Sequence, residues 1–280
     1  MGALALALAS SISWGLADFV GGLKARRLHL LTVVFGSQAA GLVLIATVVA
    51  IRGEGPPPAE FVPWAIASGV VGVAGLAAFY RGLSVGAMSV VAPISATAAA
   101  IPVTVGLATG DRPTALQGAG MAVALLGVVL AAREEVDRGA GDTRLAAGVG
   151  LAVMAAVGFG LFFVTIDVAS EHDPLWATCV NRFTTVPILI VAILLARPRL
   201  RVGARNTMAL ALVGVLDVGA NVLYASASRE GLIALVSVIA SLFPVVVVLL
   251  ARAVLKERLQ RSQQAGVLFA LVGVALIAGG

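Results

Sequence analysis

Residues 110–132 read GDRPTALQGAGMAVALLGVVLAA, and residues 256–278 read KERLQRSQQAGVLFALVGVALIA. The second and third residues of each stretch are an acidic residue and an arginine, with Asp111 in the first stretch and Glu257 in the second, and a mainly apolar run follows. A run of roughly 20 apolar residues is long enough for a helix to cross a lipid bilayer. The shared glycines are Gly120 and Gly127 in the first stretch and Gly266 and Gly273 in the second. This ordered match predicts two related units, each ending in a membrane-spanning helix.

The composition of the whole chain is typical of a membrane protein. Of its 280 residues, 60% are hydrophobic and only 12% are charged, and the mean hydropathy is +1.06. A soluble domain has about half apolar residues and about a quarter charged residues. These values exclude a soluble enzyme and a nucleic-acid-binding protein. The net charge of +5 is explained by Lys and Arg in cytoplasmic loops, where membrane proteins retain them.

Apolar runs separated by short charged or Pro/Gly-rich breaks follow one another along the chain. They lie at residues 3–23, 30–51, 61–82, 88–109, 114–132, 145–168, 174–196, 206–227, 232–254 and 262–280. Continuous runs of this length favour helices over the short alternating segments of a membrane β-barrel. The sequence therefore predicts an all-α integral membrane protein with ten transmembrane helices.

The predicted helices divide into two five-helix repeats, residues 1–140 and 145–280. Besides the stretches quoted above, Trp14-Gly15 matches Phe159-Gly160, Tyr80 matches Tyr224, and Gly86 matches Gly231, all at offsets of 144 to 146 residues. Because each repeat has an odd number of spans, the second repeat must enter the membrane in the inverted orientation. Inverted repeats are typical of secondary transporters, whose substrate site lies near the middle of the membrane between the two copies.

The distribution of Lys and Arg predicts which side of the membrane each loop faces. The odd-numbered loops carry fifteen basic residues, whereas the even-numbered loops carry three, Arg52, Arg112 and Arg229. Cytoplasmic loops are enriched in Lys and Arg. We therefore expect the odd-numbered loops in the cytoplasm and both ends of the chain outside.

Few residues could hold a metal or a cofactor. Cys179 is the single cysteine, and the two histidines, His29 and His172, both stand beside predicted loops. The sequence has no Walker phosphate-binding loop and no HExxH motif. We expect no cofactor, no metal site, no enzymatic activity and no use of ATP.

Several motifs resemble those of the drug/metabolite transporter superfamily, in particular its ten-helix EamA-type branch. The residues that carry the resemblance are Trp14-Gly15 and residues 18–22 in the first span, and residues 231–235, 237–244, 255–259, Gln264 and Gly266 in the second repeat. The resemblance covers nearly the whole chain and implies a transporter built from two copies of one domain. It leaves the substrate open, because the family moves amino acids, sugars, nucleotide conjugates, drugs and lipid-linked groups.

Asp217 is the clearest candidate for a functional residue. It lies near the middle of the eighth predicted span, where an ionisable side chain is costly and marks a functional site by default. Asn221 and Tyr224 follow at i+4 and i+7, on the same helix face. We interpret this polar stripe as a substrate or proton site, and the alternative is a hydrogen-bonded seam between helices.

Arg182 is the second charge inside a predicted span. It lies about eight residues into the seventh span, at a depth within reach of Asp217, and Asn181 stands beside it. An Arg–Asp combination fits a structural ion pair. It fits equally well the binding of a substrate carboxylate or phosphate by the guanidinium group.

The candidate substrate-binding set is completed by Trp14, Asp18, Gln38 and Tyr80. Asp18 fits a role in proton coupling and, equally, a pairing with a basic residue at the membrane border. Trp14 is a candidate pocket wall. Gln38 and Tyr80 are polar side chains inside apolar spans, which is unusual enough to make them candidates.

Two further sets of residues have structural interpretations. Pro93, Pro102, Pro187 and Pro244 lie inside predicted spans, where proline kinks a helix and frees backbone carbonyl groups. Asp111 and Glu257 are predicted to cap the helices that follow them.

Together these features predict a secondary transporter of the plasma (inner) membrane that exports small polar metabolites such as amino acids by alternating access. Its expected partners are a small-molecule substrate, the lipid bilayer and, if transport is proton-coupled, protons, but no nucleic acid. The expected assembly is a monomer or a homodimer. Two alternatives stay open: a carrier of lipid-linked or sugar-nucleotide substrates, and a transport-inactive membrane subunit or sensor.

Overall fold

The fold consists of helices. The computed structural model describes residues 2–25, 27–85, 91, 94–132, 142–198, 203–256 and 259–280, with the backbone alone for residues 80, 83–85 and 142–147. The α-helices are α1 (Gly2–Ala25), α2 (Leu30–Arg52), α3 (Val62–Val85), α4 (Ala100–Thr109), α5 (Ala115–Ala131), α6 (Asp142–Ser170), α7 (Pro174–Ala196), α8 (Ala204–Glu230), α9 (Ile233–Ala240), α10 (Phe243–Leu255) and α11 (Arg261–Gly279). Short 3-10 helices, Ala59–Phe61 and Ala96–Ala99, precede α3 and α4. Within the described ranges there is no strand, and the predicted all-α class is confirmed.

Most of the helices are long and apolar enough to cross a membrane. Eight such spans are Gly2–Ala25, Leu30–Arg52, Ala59–Phe79, Gly148–Ser170, Pro174–Ala196, Ala204–Glu230, Ile233–Leu255 and Arg261–Gly279, and two shorter apolar helices are Ala96–Thr109 and Ala115–Ala131. Apart from the fourth predicted run, the helix ends lie within three residues of the predicted ends. The chain is therefore a multi-pass membrane protein.

The ninth apolar run forms two helices rather than one. A turn at residues 241–242 separates α9 from α10. Pro244 stands in the first turn of α10, where its missing N–H group costs no helical hydrogen bond. The break is therefore the predicted effect of this proline, whereas Pro187 lies inside the continuous helix α7. Pro93 lies outside the described residues.

Asp111 does not cap the helix that follows it, so this prediction is wrong. Thr114 and Gln117 form the N-terminal capping box of α5, which already satisfies the first turn of that helix. Asp111 Oδ2 instead accepts a hydrogen bond of 2.9 Å from the backbone N–H of Ala234 at the start of α9. A carboxylate in this position satisfies a free N–H group and interacts favourably with the helix dipole. Asp111 thereby connects the two halves of the chain, and Glu257 lies outside the described residues.

The helices of one half pack mainly on the helices of the other. α1 packs on α8 and α3 on α6, α2 contacts α7 and α8, α3 also contacts α7, α4 lies against α9, and α5 lies against α11. Small residues permit the closest of these contacts. Gly75 of α3 meets Gly158 of α6, and Gly127 of α5 meets Gly266 and Ala270 of α11. A side chain at any of these glycines would collide with the backbone of the opposite helix.

Two polar contacts at the helix ends each connect loops that are predicted to lie on the same side of the membrane. Arg52 at the end of α2 pairs with Asp173 before α7 at 2.6 Å, and both belong to even-numbered loops. Lys24 Nζ at the end of α1 donates to Asn206 Oδ1 near the start of α8 at 3.0 Å, and both flank odd-numbered loops. These contacts agree with the alternation of sides that the Lys and Arg distribution predicts.

Candidate functional site

Asp217 lies at the centre of a polar cluster between α1, α2, α7 and α8. Its carboxylate accepts hydrogen bonds from Trp14 Nε1 at 3.2 Å, from Gln38 Nε2 at 3.1 Å and from Arg182 Nη2 at 2.6 Å. The Arg182 side chain is 5% exposed and that of Asp217 is 22% exposed. An ionised carboxylate inside a membrane protein needs such donors because hydrocarbon offers none. The structure therefore brings four of the sequence-predicted site residues into one cluster.

Arg182 is held on its other side by Asn181. Arg182 Nη1 donates to Asn181 Oδ1 at 3.0 Å, and Asn181 Nδ2 donates to Ser68 Oγ of α3 at 2.8 Å. Arg182 Nε and Gln38 Oε1 are buried, and neither atom has a hydrogen-bond partner among the described residues. The cluster therefore has one unused donor and one unused acceptor. Ser68 was not predicted as a site residue, because a single serine in an apolar helix carries no signal that distinguishes a functional role from packing.

Glycines bring α2 close enough to α8 for Gln38 to reach Asp217. Gly41 of α2 and Gly214 of α8 face each other, and a Cβ atom on Gly214 would lie 2.9 Å from the backbone nitrogen of Gly41. Small residues at a crossing let two membrane helices approach closely. The glycine contact lies one turn from both polar side chains and so sets the distance between them.

Serines fix α1 on α8 in the register that places Trp14 beside Asp217. Ser10 Oγ and Ser13 Oγ donate to backbone carbonyl groups of α8 at 2.8 and 2.7 Å. Hydroxyl groups that bond across helices are a common means of joining membrane helices. These bonds hold the indole N–H within reach of the carboxylate.

Trp14 also lies at the centre of an aromatic cluster next to the polar one. Its ring centroid is 5.8 Å from that of Phe163, 6.0 Å from that of Tyr224, and 6.4 Å from those of Phe162 and Phe243. Three of these four contacts are edge-to-face, a favourable arrangement for aromatic rings. The indole thus joins an aromatic surface to the carboxylate. The three phenylalanines were not predicted as site residues, because they stand in apolar runs in which phenylalanine is common.

The other two members of the polar stripe on α8 do not contact the carboxylate of Asp217. Asn221 Nδ2 donates to the backbone oxygen of Asp217 at 2.7 Å, within α8. Tyr224 is fully buried, and its hydroxyl group is bonded to Ser237 at 2.8 Å and to the backbone oxygen of Phe163 at 3.3 Å. The stripe lies along one helix face as the spacing predicts, but only Asp217 takes part in the ion pair.

Asp18 lies one helical turn from Trp14, on the same face of α1. Asp18 is exposed, and its charge lies near enough to that of Asp217 for the two charges to repel each other. The side chain of Tyr80, the last of the predicted site residues, lies outside the described residues.

The cluster brings together several kinds of polar and aromatic group. It combines an ion pair, amide groups and aromatic surface, the groups that orient a small ligand in a protein pocket. In the part of the chain that the structure describes, no group of three or more His, Cys, Asp or Glu side chains could hold a metal ion.

Comparison with known proteins agrees with this architecture. A crystal structure of another protein matches 98% of this chain and 95% of its own chain, with a TM-score of 0.81 at 14% sequence identity, which shows a shared fold. No curated protein sequence gives a significant match. The EamA-like transporter family matches twice, at residues 1–133 and 146–279, and these two matches cover nearly the whole chain. The chain therefore belongs to the EamA-like transporter family, within the drug/metabolite transporter superfamily.

Proposed function

We propose that this chain is a secondary transporter of the plasma (inner) membrane that exports small polar metabolites, such as amino acids, by alternating access. The observation that carries the proposal is the Arg182–Asp217 ion pair, which lies inside the helix bundle beside the indole of Trp14. Such a pair provides a polar cargo with the contacts that hydrocarbon lacks.

We also infer that the ten apolar runs cross the membrane as two inverted five-helix repeats. The packing partners support a two-fold relation, because exchanging the repeats converts each of the following contacts either into another observed contact or into itself. The α1–α8 contact corresponds to α6–α3, and the α2–α8 contact corresponds to α7–α3. The α2–α7 and α5–α11 contacts each join two counterparts and correspond to themselves.

Two glycines support the same relation at the level of single residues. A Cβ atom on Gly15 would lie 3.0 Å from the carbonyl oxygen of Phe243, and one on Gly160 would lie 2.6 Å from that of Ala98. The glycines are 145 residues apart, and so are the two residues that they contact. With five spans in each repeat, the two-fold axis lies in the membrane plane. Rocking of two such halves exposes a central site to each side in turn.

The transport function is tested with purified protein. We expect a thermal-shift screen against pools of small polar metabolites to identify a ligand that raises the unfolding temperature, because binding stabilises the folded state by mass action. The same ligand is expected to cross the membrane of proteoliposomes only when the protein is present. A lipid-linked or sugar-nucleotide ligand would favour the alternative carrier. Ligand binding without protein-dependent flux would contradict the proposal and favour the transport-inactive sensor.

The proposed orientation predicts which loops react with membrane-impermeant reagents. In a variant whose buried Cys179 is replaced by serine, cysteines at Gly55 and His172 are expected to be labelled by an impermeant maleimide in intact cells. A cysteine at Gly203 is expected to react only after the membrane is permeabilised. A Cβ atom at Gly55 or Gly203 meets nothing within 4 Å, so both variants should fold. The opposite labelling pattern would place the odd-numbered loops outside.

A further inference from the structure

We propose that Ser68 is a positioning residue of the cargo site, which sets the orientation of the Arg182 guanidinium group through Asn181. This inference rests on the proposed transport function and adds a residue of α3 to the same site. Three consecutive hydrogen bonds, of 2.8, 3.0 and 2.6 Å, lead from Ser68 through Asn181 and Arg182 to Asp217. They connect α3 of the first repeat with α7 and α8 of the second.

The guanidinium group determines the direction of every bond in this chain. Arginine has only donors, so Asn181 must turn its side-chain oxygen toward Arg182 Nη1. The amide nitrogen of Asn181 then points to Ser68 and needs an acceptor there. The Ser68 hydroxyl group can be that acceptor, because it donates its own proton to the backbone oxygen of Ala65 at 2.7 Å. No donor in the chain therefore faces another donor.

Burial makes the acceptor on Ser68 necessary. Ser68 is fully buried, and Asn181 is 3% exposed. Without the hydroxyl group, Asn181 Nδ2 would be a buried donor with no acceptor, which is costly. The amide would then gain by turning, and a turned amide no longer offers its oxygen to Arg182. Because Arg182 Nε already has no partner among the described residues, Asp217 alone would hold the guanidinium group.

Gly69 brings α3 close enough to α7 for the short serine side chain to reach the amide. A Cβ atom on Gly69 would lie 2.9 Å from the backbone oxygen of Asn181. Gly214 stands 145 residues after Gly69, and a Cβ atom there would collide with the backbone oxygen of Ser37. Asn181 in turn stands 144 residues after Ser37. The crossing of α3 with α7 is therefore the counterpart of the crossing of α8 with α2.

Both crossings direct a polar contact to the same oxygen atom. Gln38 of α2 corresponds to Arg182 of α7 at an offset of 144 residues. Both side chains donate to Asp217 Oδ2, at 3.1 Å from Gln38 and at 2.6 Å from Arg182. This correspondence favours a role of the Ser68–Asn181 bond in the site over a role in the packing of α3 alone.

The indole N–H group of Trp14 can report the orientation of Arg182. Trp14 donates to Oδ1 of Asp217, whereas Arg182 donates to Oδ2. A guanidinium group that loses its acceptor on Asn181 is expected to turn and to bond both carboxylate oxygens, the bidentate arrangement that arginine favours. Such a turn would weaken the bond from the indole to Oδ1.

The proposal is tested by NMR on the purified full chain with 15N-labelled tryptophan. The chain has three tryptophans, and the variant Trp14→Phe identifies the signal of Trp14. We expect Ser68→Ala to shift the indole proton of Trp14 upfield, because a weaker hydrogen bond deshields the proton less. Ser68→Cys keeps a weak acceptor and is expected to give a smaller shift. It carries the test if Ser68→Ala is not recovered as folded protein.

Ser170→Ala is the matched control. Ser170 is also fully buried, donates to the backbone oxygen three residues before it, and contacts the backbone of a neighbouring helix at Ala225. It lies outside the polar cluster, so its loss is expected to leave the signal of Trp14 unchanged.

A double variant shows whether Ser68 acts through Asn181. Leucine has nearly the shape of asparagine but no polar atoms, so Asn181→Leu removes the group that Ser68 is proposed to orient. We expect Ser68→Ala combined with Asn181→Leu to give the same shift of the Trp14 signal as Asn181→Leu alone. A serine that only packs α3 on α7 would instead add its own effect.

An unchanged Trp14 signal in the folded Ser68 variants, an equal shift in Ser170→Ala, or additive shifts in the double variant would overturn the proposal. Flux of a radiolabelled amino-acid mixture into proteoliposomes separates it from the proposed function. We expect Ser68→Ala to lower this flux about ten-fold or more and Ser170→Ala to leave it unchanged. A shifted signal with wild-type flux would overturn the role of Ser68 in the cargo site and leave transport standing. No protein-dependent flux in the wild type would contradict amino-acid transport and leave the orientation of Arg182 by Ser68 standing.

Discussion

Transport is expected to be lost when Asp217 is replaced by asparagine, because this change removes the charge that holds the cluster together. Asparagine keeps the shape of aspartate and part of its hydrogen-bonding capacity, but it cannot neutralise Arg182. Removing one partner of a buried ion pair costs about 3–5 kcal/mol. We therefore expect Asp217→Asn to fold with a lowered unfolding temperature and to show no protein-dependent flux in proteoliposomes.

The double variant Asp217→Asn with Arg182→Gln distinguishes a binding role from a structural one. Both charges are then absent, so no buried guanidinium group is left without a partner, and stability is expected to recover. If the pair only joins α7 to α8, transport should recover with stability. If the pair belongs to the cargo site, the double variant should be as stable as the wild type and remain inactive, which is the result that we expect.

A matched control is the same substitution at the outer ion pair. Asp173 pairs with Arg52 and caps α7 through backbone N–H groups. Asparagine is an equally good cap, and this pair lies at the end of the helix rather than in the cluster. Asp173→Asn is therefore expected to transport at the wild-type rate. Wild-type transport in Asp217→Asn would remove Asp217 from the mechanism and leave the stripe on α8 as packing.

The sequence was sufficient to predict most of the helical spans, because each of these spans leaves a long continuous signal. Nearly all helix ends lie within three residues of the predicted ends. The sequence indicates that a proline inside a span can interrupt the helix, but it does not indicate which proline does so. Pro187 leaves α7 unbroken, whereas Pro244 follows the break between α9 and α10. A proline inside an apolar run is therefore not sufficient by itself to predict a break in the helix.

The cluster was partly predictable for a similar reason. Charged side chains are rare inside membranes, so Asp217 and Arg182 could be recognised as candidates from the sequence. The helical period predicted that Asn221 and Tyr224 lie on the same helix face as Asp217. The period could not show that Asn221 bonds the backbone of its own helix. The hydrogen bond between Asp111 and the backbone of Ala234 could not be predicted either, because the two residues are 123 positions apart in the sequence. Contacts between distant residues depend on the fold and not on spacing.

The contact between α5 and α11 allows the sharpest test of how the fold is encoded, because glycines in both helices touch the opposite backbone. A Cβ atom on Gly127 would lie 2.8 Å from the carbonyl oxygen of Gly266 and 2.9 Å from the Cα of Ala270. A Cβ atom on Gly273 would lie 2.7 Å from the Cα of Ala124. Neither helix can accept a side chain here without moving apart from the other.

Leucine at Gly127 or at Gly273 is therefore expected to destabilise the protein by about 3 kcal/mol or more, since overpacking against a backbone cannot be relieved by a change of rotamer. Because leucine inserts into membranes more readily than glycine, a loss of folded protein would not reflect failed insertion. Gly118 of α5 is the matched control, since a Cβ atom there meets nothing within 4 Å. Gly118→Leu should keep the wild-type unfolding temperature or raise it slightly, because leucine is the better helix former. The measurement is the unfolding temperature and the monodisperse yield of the three variants in detergent. Equal stability of Gly127→Leu and Gly118→Leu would show that the two helices are not held together by their glycines.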